Sequence, residues 1–337
     1  MSGGMVILVW CALFAAMSAV GTWLARLYAL RRRLIDAPGE RRSHAVATPR
    51  GGGIAIALAA LVALIAMAMR QPLDIVLLVG AGMGLLLVAG IGWLDDHRPL
   101  SPWSRLAVHA LAAGWLVVGL YLSGRSAPVA LSSGLAALVL INAWNFMDGI
   151  DGIAGTQAVL VLSFLGITAG AGLPVHLGLA FASAVLGFLP FNMPKARIFM
   201  GDAGSGALGY LVALSLGLWL DRQPSAVWPV ALMPLSAFLL DTGLTLASRI
   251  LKRERWWQPH VEHAYQRWSR RAGRHMVPTC GYLTWTLLGC LGGLWAMGKG
   301  DGVVAMTVMA WLTTGCLVWV WLRRQPGPAT ASAEPRG

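Results

Sequence analysis

Asp95 and Asp96 stand side by side at the end of an apolar run, in Gly92-Trp-Leu-Asp-Asp-His97, with Arg105 further along. An acid near the centre of a membrane helix costs roughly 2.5–3.5 kcal/mol, so acids at the edge of such a helix are candidates for function. Helical neighbours diverge by about 100°, which points the two carboxylates at different tasks. One faces a metal and the other a proton or a basic partner; the plain alternative is a helix end meeting water. A second cluster reads Asn142-Ala-Trp-Asn145-Phe-Met-Asp148-Gly149-Ile-Asp151-Gly152. Asn142, Asn145 and Asp148 are three apart and share one helix face. Gly149 and Gly152 are expected to break that helix and leave Asp151 free to turn into a cavity. The third is Pro194-Lys-Ala-Arg197-Ile-Phe-Met-Gly201-Asp202-Ala-Gly204-Ser-Gly206. Asp202 is a hard oxygen ligand set just before an expected helix, and oxygen ligands of this kind select Mg²⁺ or Mn²⁺ over Zn²⁺. Gly204 and Gly206 suit the approach of a phosphate.

The basic side of the chemistry comes from two other stretches. Asp36-Ala-Pro-Gly-Glu-Arg41-Arg-Ser-His44 precedes Pro49-Arg50-Gly51-Gly52-Gly53, which runs straight into an apolar segment. Glycines at a helix start let backbone N–H groups approach an anion, and Arg41, His44 and Arg50 add charge-assisted bonds to phosphate. A solvated basic loop is the competing reading, and no Gly-Lys-Ser/Thr makes it a P-loop. The stretch 248–278 carries Trp256-Trp257, His260-Val-Glu262-His263-Ala-Tyr265-Gln266 and several arginines. Its Trp and Arg mixture fits an amphipathic element on anionic headgroups, with His260 and His263 turned towards the site. Zinc is disfavoured there for want of a third ligand. Asp241 reads either as a further site acid or as a buried packing residue, and His109 and His176 as packing or interface residues.

These clusters need a scaffold, and the composition names it. The 337 residues are 57% hydrophobic and 12% charged, against about 25% charged in soluble domains. The chain is therefore expected to be an all-α polytopic membrane protein. Apolar segments recur near 5–28, 52–69, 75–94, 106–122, 128–147, 153–171, 174–191, 205–220, 227–247, 279–297 and 301–322. They predict about eleven transmembrane helices in one catalytic domain over 1–322, followed by a disordered tail over 323–337. No Lys or Arg precedes the first run, so it is not expected to be a cleaved signal peptide. The four cysteines lie in apolar segments without metal-like spacing and read as small hydrophobes.

Charge then orients the bundle. With the N-terminus outside, the inner connections and the tail hold 22 Lys plus Arg and the outer ones hold 4. Lys and Arg collect on the cytoplasmic side of membrane proteins, so the C-terminus is predicted inside. The same bias accounts for the net charge of +12 without nucleic acid. Of 14 acids only Asp74, Asp221 and Asp301 fall outside. Carboxylates have no topological reason to follow arginines, and an active site on the cytoplasmic face explains why they do. Acids, basic groups and glycine turns at a membrane face suit phosphoryl transfer between a water-soluble nucleotide and a lipid phosphate.

At these residues the sequence resembles the polyprenyl-phosphate N-acetylhexosamine-1-phosphate transferases, from Asp36 to Gln266. The resemblance rests on Asp95-Asp96, Asn142-x-x-Asn-Phe-Met-Asp-Gly-Ile-Asp-Gly152 and Phe199-Met-Gly-Asp202 as a set. It implies transfer of a sugar 1-phosphate from a UDP-N-acetylhexosamine to undecaprenyl phosphate, with Mg²⁺ and release of UMP, at the bacterial inner membrane. By that resemblance Asn145 and Asp202 hold the metal. Asp95 and Asp96 deprotonate or orient the lipid phosphate beside Arg105, and Asp148 joins them as a catalytic acid. Asp151 lies near the uridine, while His263 and Arg50 lie near the diphosphate or sugar. Asn142, Arg41, His44 and His260 complete the substrate-binding set, and a homodimer is the candidate assembly. His260-Val-Glu-His263-Ala-Tyr-Gln and Pro49-Arg-Gly-Gly-Gly look most like the O-antigen-initiating branch, which implies a 6-deoxy donor, UDP-N-acetylfucosamine or UDP-N-acetylquinovosamine. The alternatives are UDP-N-acetylglucosamine, the phospho-N-acetylmuramoyl-pentapeptide donor and, from other classes, an intramembrane aspartyl protease or a transporter.

Overall fold

The computed structural model describes residues 3–36, 46–70, 74–255, 257–258 and 260–325. Arg41 and His44 lie outside these residues, as does Trp256. Twelve α-helices run through the described chain: α1 (Gly3–Arg32), α2 (Ile54–Arg70), α3 (Ile75–His97), α4 (Pro102–Leu122), α5 (Ala127–Met147), α6 (Ile153–Thr168), α7 (Leu173–Asn192), α8 (Gly201–Leu220), α9 (Leu232–Leu251), α10 (Ala264–Ala272), α11 (Met276–Met297) and α12 (Asp301–Arg324). All eleven apolar segments are helices, and α10 is the polar twelfth. Nine spans are long and apolar enough to cross a membrane, while α2 and α6 are shorter apolar helices.

Local sequence sets several boundaries. Ser101 accepts a hydrogen bond from Ser104 N and Pro102 opens α4, so this helix starts four residues before the expected 106. Pro is at home in a first turn, where its missing N–H costs nothing. Gly152 at φ 74° ends the break between α5 and α6. α12 continues to Arg324, two residues past the expected domain end at 322, and the expected tail from 326 on lies outside the described residues. One departure from an all-α chain is a two-residue antiparallel ladder, β1 (Ile35–Asp36) with β2 (Thr48–Pro49), pairing Ile35 with Pro49 and Asp36 with Thr48.

The core centres on α8, where every residue from Ala203 to Leu220 is buried. Small residues allow this, because lipid supplies no hydrophobic drive between helices and close backbone packing must replace it. A Cβ on Gly209 would lie 2.3 Å from Leu140 O of α5, and one on Gly53 would lie 2.3 Å from the Gly204 Cα. Outside this core α1 and α12 present mostly exposed apolar surface, as lipid-facing helices do.

Polar residues gather at opposite ends of α3. Asp74 precedes its first turn, and Arg125 bonds Asp74 at 2.7 Å and approaches Asp221 at 3.6 Å. Asp95 and Asp96 lie in its last turn, and a helix of 23 residues spans about 34 Å at 1.5 Å per residue.

Candidate active site

Two chambers open at the Asp95–Asp96 end. The first, of about 210 Å³, is lined by Asp36, Arg50, Asp96, Asn145, Asp148, Asp151, Phe199, Asp202 and His275, among others. The second, of about 530 Å³, has the apolar walls Trp103, Leu106, Ile141, Phe146, Leu246 and Trp257, with Arg105, His109, Asn142, Gln258, His260 and His263 among its polar members. Asn145, Asp148, Gly149, Asp202 and Gln266 line both. That shared wall is where a polar ligand and an amphipathic one can meet.

The paired acids separate as helical neighbours must. Asp95 Oδ1 accepts from Leu100 N at 2.6 Å and Oδ2 from Arg105 at 2.9 Å, and Asp95 lines neither chamber. Asp96 is buried, with 3% exposure, and accepts from Asp202 N at 3.1 Å and Ala203 N at 3.3 Å. A carboxylate at the first turn of α8 satisfies N–H groups that have no partner inside the helix. Asp202 therefore sits within the first turn of α8 rather than before it. Its Oδ2 takes 2.8 Å bonding from the same Arg105 Nη1 that holds Asp95, and its Oδ1 accepts from Asn145 Nδ2 at 3.0 Å.

The glycines behave differently from expectation. Gly52 N donates to Phe199 O at 3.0 Å, Gly53 N to Met200 O at 2.8 Å, and Phe199 N to Pro49 O at 2.8 Å. The Gly51–Gly53 turn thus binds the Phe199–Asp202 segment, and the amides of Gly52 and Gly53 are spent on it instead of on an anion. Gly204 likewise packs against a neighbour, and Gly206 packs on α3 while also lining the apolar chamber. A Cβ on Gly204 would lie 2.5 Å from Gly53 Cα, and one on Gly206 would lie 2.9 Å from Val88 Cγ1. What the turn does deliver is Arg50, whose Nη2 donates to Asp96 O.

Asp151 turns into the polar chamber, as the two glycines suggested, and pairs with His275 at 3.2 Å. Asn142 donates to Leu138 O at 2.7 Å on its own helix and faces the apolar chamber. Asp148 stands at the junction, where burial and then the charges of Asp202, Asp96 and Asp151 push its pKa up to about 8. His260 moves the other way, down to about 4, through burial and then the charges of His263 and Arg249. It is a neutral donor or acceptor at pH 7.

Asp36 and Phe199 also line the polar chamber, and both fall within the polar clusters of the sequence. His275 carried no motif signal. His109, expected as a packing residue, lies in the apolar chamber wall on the turn after Arg105. His176 does pack, with Nδ1 2.7 Å from Gly172 O. Among the described residues no group of three or more His, Cys, Asp or Glu stands close enough to hold a metal ion by itself.

Comparison with known proteins matches residues 77–219 to the family described as Glycosyl transferase family 4. The chain is 28% identical to a "Probable undecaprenyl-phosphate N-acetylglucosaminyl 1-phosphate transferase" of Bacillus subtilis, over 73% of this chain and 72% of that protein. It is 30% identical to a "Decaprenyl-phosphate N-acetylglucosaminephosphotransferase" of Mycobacterium tuberculosis, over 60% of this chain and 58% of that one. Similarity extends to a "Phospho-N-acetylmuramoyl-pentapeptide-transferase" of a Synechococcus species, 33% identical over 45% and 52% of the two chains. The stretch that supplies Asp96, Asn145, Asp148, Asp151 and Asp202 to the chambers is thus a match to Glycosyl transferase family 4.

Proposed function

We propose that the protein transfers an N-acetylhexosamine 1-phosphate from a UDP-sugar to undecaprenyl phosphate at the cytoplasmic face of a bacterial inner membrane. The observation that carries this is the pair of chambers with one shared wall. The polar one, with Phe199, Arg50 and the acids, suits a nucleotide diphosphate sugar; the apolar one, with Arg105 at its polar end, suits a lipid phosphate. An oxygen of the lipid phosphate attacks the phosphorus attached to the sugar. The new O–P bond forms as the bond to the bridging oxygen breaks, and UMP leaves with that oxygen. A phosphate monoester with a second pKa of about 6 is mostly dianionic at pH 7, so orientation matters more than proton removal. Arg105, already bridging Asp95 and Asp202, is placed to receive that charge.

Magnesium fits the donor set in one way. Mg²⁺ is commonly held by one or two carboxylates together with substrate phosphates, which Asp202 with Asn145 and a diphosphate supply. Asn145 now directs Nδ2 at Asp202, so ligation asks the amide to turn and present its oxygen. The bound ion would neutralise diphosphate charge.

The His260–Gln266 pattern favours a 6-deoxy-N-acetylhexosamine donor and an O-antigen type of product. The N-acetylglucosaminyl names of similar proteins favour the second reading, UDP-N-acetylglucosamine. UMP release by the purified protein tests both, using undecaprenyl phosphate, Mg²⁺ and a panel of UDP-N-acetylhexosamines with and without EDTA. Release with one donor, abolished by EDTA and lowered at least 100-fold by Asp202→Asn in a folded protein, is the expected result. A folded wild type silent with every donor overturns the transferase reading.

A further inference from the structure

Asp241 is an acid on the spanning helix α9 that lines neither chamber. It is only 2% exposed, a burial that an unpaired carboxylate does not tolerate. Its oxygens are saturated from three other helices. Oδ1 accepts from Ala264 N at 2.8 Å and Oδ2 from Tyr265 N at 3.1 Å. Tyr282 OH of α11 donates to Oδ2 at 2.7 Å, and Trp319 Nε1 of α12 to Oδ1 at 3.3 Å. Ala264 and Tyr265 are the first residues of α10. An acid from a neighbouring helix thus does the work of an N-cap side chain and adds negative charge at the positive end of the helix dipole.

α10 needs that anchor. Nine residues are too few for a helix to stand alone in water. It also carries the histidine. His263 occupies the position before its first turn, with Nδ1 3.5 Å from Asp241 Oδ1, a close approach without a hydrogen bond. Its ring stacks on Phe146 at 6.2 Å and on Tyr265 at 5.9 Å. Tyr265 OH donates to Phe146 O at 3.0 Å in the last turn of α5. The same hydroxyl lies 2.2 Å from where a Cβ on Gly149 would be. Contacts therefore run from Asp241 through the start of α10 to the residues flanking Asp148.

We propose that Asp241 is a positioning residue, docking α10 so that His263 faces the wall made by Asn145, Asp148 and Asp202. The kinetic part of this inference rests on the transferase reading. Two readouts on the full chain in detergent test it: amide hydrogen exchange across 260–272, and UMP release with undecaprenyl phosphate and the accepted UDP-sugar. Asp241→Asn is expected to speed exchange at the start of α10 at least tenfold, leave 77–219 unchanged, and lower kcat at least tenfold. The double variant Asp241→Asn/His263→Ala is expected to be no slower than His263→Ala, because residues acting through one another are not additive. Defects that multiply, or exchange that stays at the wild-type rate, overturn the proposal. Should Asp241→Asn fail to fold, Tyr265→Phe takes its place, removing the hydroxyl that bonds Phe146 O and borders Gly149. It is expected to lower kcat threefold or more and to speed exchange at 264–266; wild-type values for both overturn the proposal. If the wild type releases no UMP, the transferase reading fails, and exchange alone decides whether Asp241 holds α10.

Discussion

Arg105 joins two carboxylates through one nitrogen, 2.9 Å from Asp95 and 2.8 Å from Asp202. All three side chains keep some exposure, 13–30%, and partly exposed ion pairs contribute about 0–1 kcal/mol to stability. Its value is therefore geometric: Nη1 directs its two N–H groups at the two carboxylates from a planar guanidinium of fixed orientation, whereas Lys carries a strongly hydrated point charge on a flexible stem. Arg105→Lys is expected to lower UMP release tenfold or more with little change in melting temperature; the reverse pattern would make Arg105 a structural residue. Asp148 makes a second prediction. An acid whose pKa rises on folding from near 4 to about 8 holds its proton where the unfolded chain has lost it. Stability then falls as pH rises between those values and is level beyond them. Without added metal, the melting temperature of the wild type should fall from pH 5.5 to 8.5. Asp148→Asn should flatten the curve, and parallel curves would refute the assignment. The roles of Asp95 and Asp96 were legible only as a divergence. Which of them caps α8 depends on Asp202, 106 residues away.

At the scale of elements, the glycine turn before α2 and the start of α8 form one backbone joint. Gly52 and Gly53 donate to Phe199 and Met200, and Gly53 meets Gly204 with no room for a methyl group. Overpacking of this kind costs about 1–3 kcal/mol, and here it displaces both Arg50 and Asp202. Gly53→Ala is therefore expected to lower the melting temperature by several degrees and to cut UMP release sharply. Gly90→Ala, on α3 with nothing within 4 Å, should leave both near wild type. Equal behaviour of the two variants would remove the joint from the account. The sequence announced this turn as glycine-rich but not its partner, since a phosphate and a neighbouring carbonyl ask the same freedom of a backbone N–H.

Across the whole molecule, the bundle keeps its charges at two ends, Asp74, Arg125 and Asp221 at one and the chambers at the other. From the positive-inside bias we propose that the chamber end faces the cytoplasm. In intact cells and a background lacking Cys11, Cys280, Cys290 and Cys316, Ser126→Cys should react with an impermeant maleimide, and Arg270→Cys should react only after lysis. Ser126 and Arg270 are both exposed, so the opposite labelling would reverse the orientation.

The sequence by itself determined the eleven apolar helices and the polar clusters between them. A span in lipid must bond its own backbone and be apolar over about 20 residues, so both the spans and their exceptions show in the linear pattern. Asp151 turning at Gly152 was readable for the same local reason. Tertiary structure alone decided the destination of the glycine amides, the division of labour between Asp95 and Asp96, the place of His109 and His275 in the chamber walls, and the capping of α10 by Asp241. Each depends on partners far along the chain, such as Gly52 with Phe199 or Asp241 with Tyr265. Such a pairing has no local signature, because a buried donor or acceptor can be satisfied by any segment that packing brings within reach.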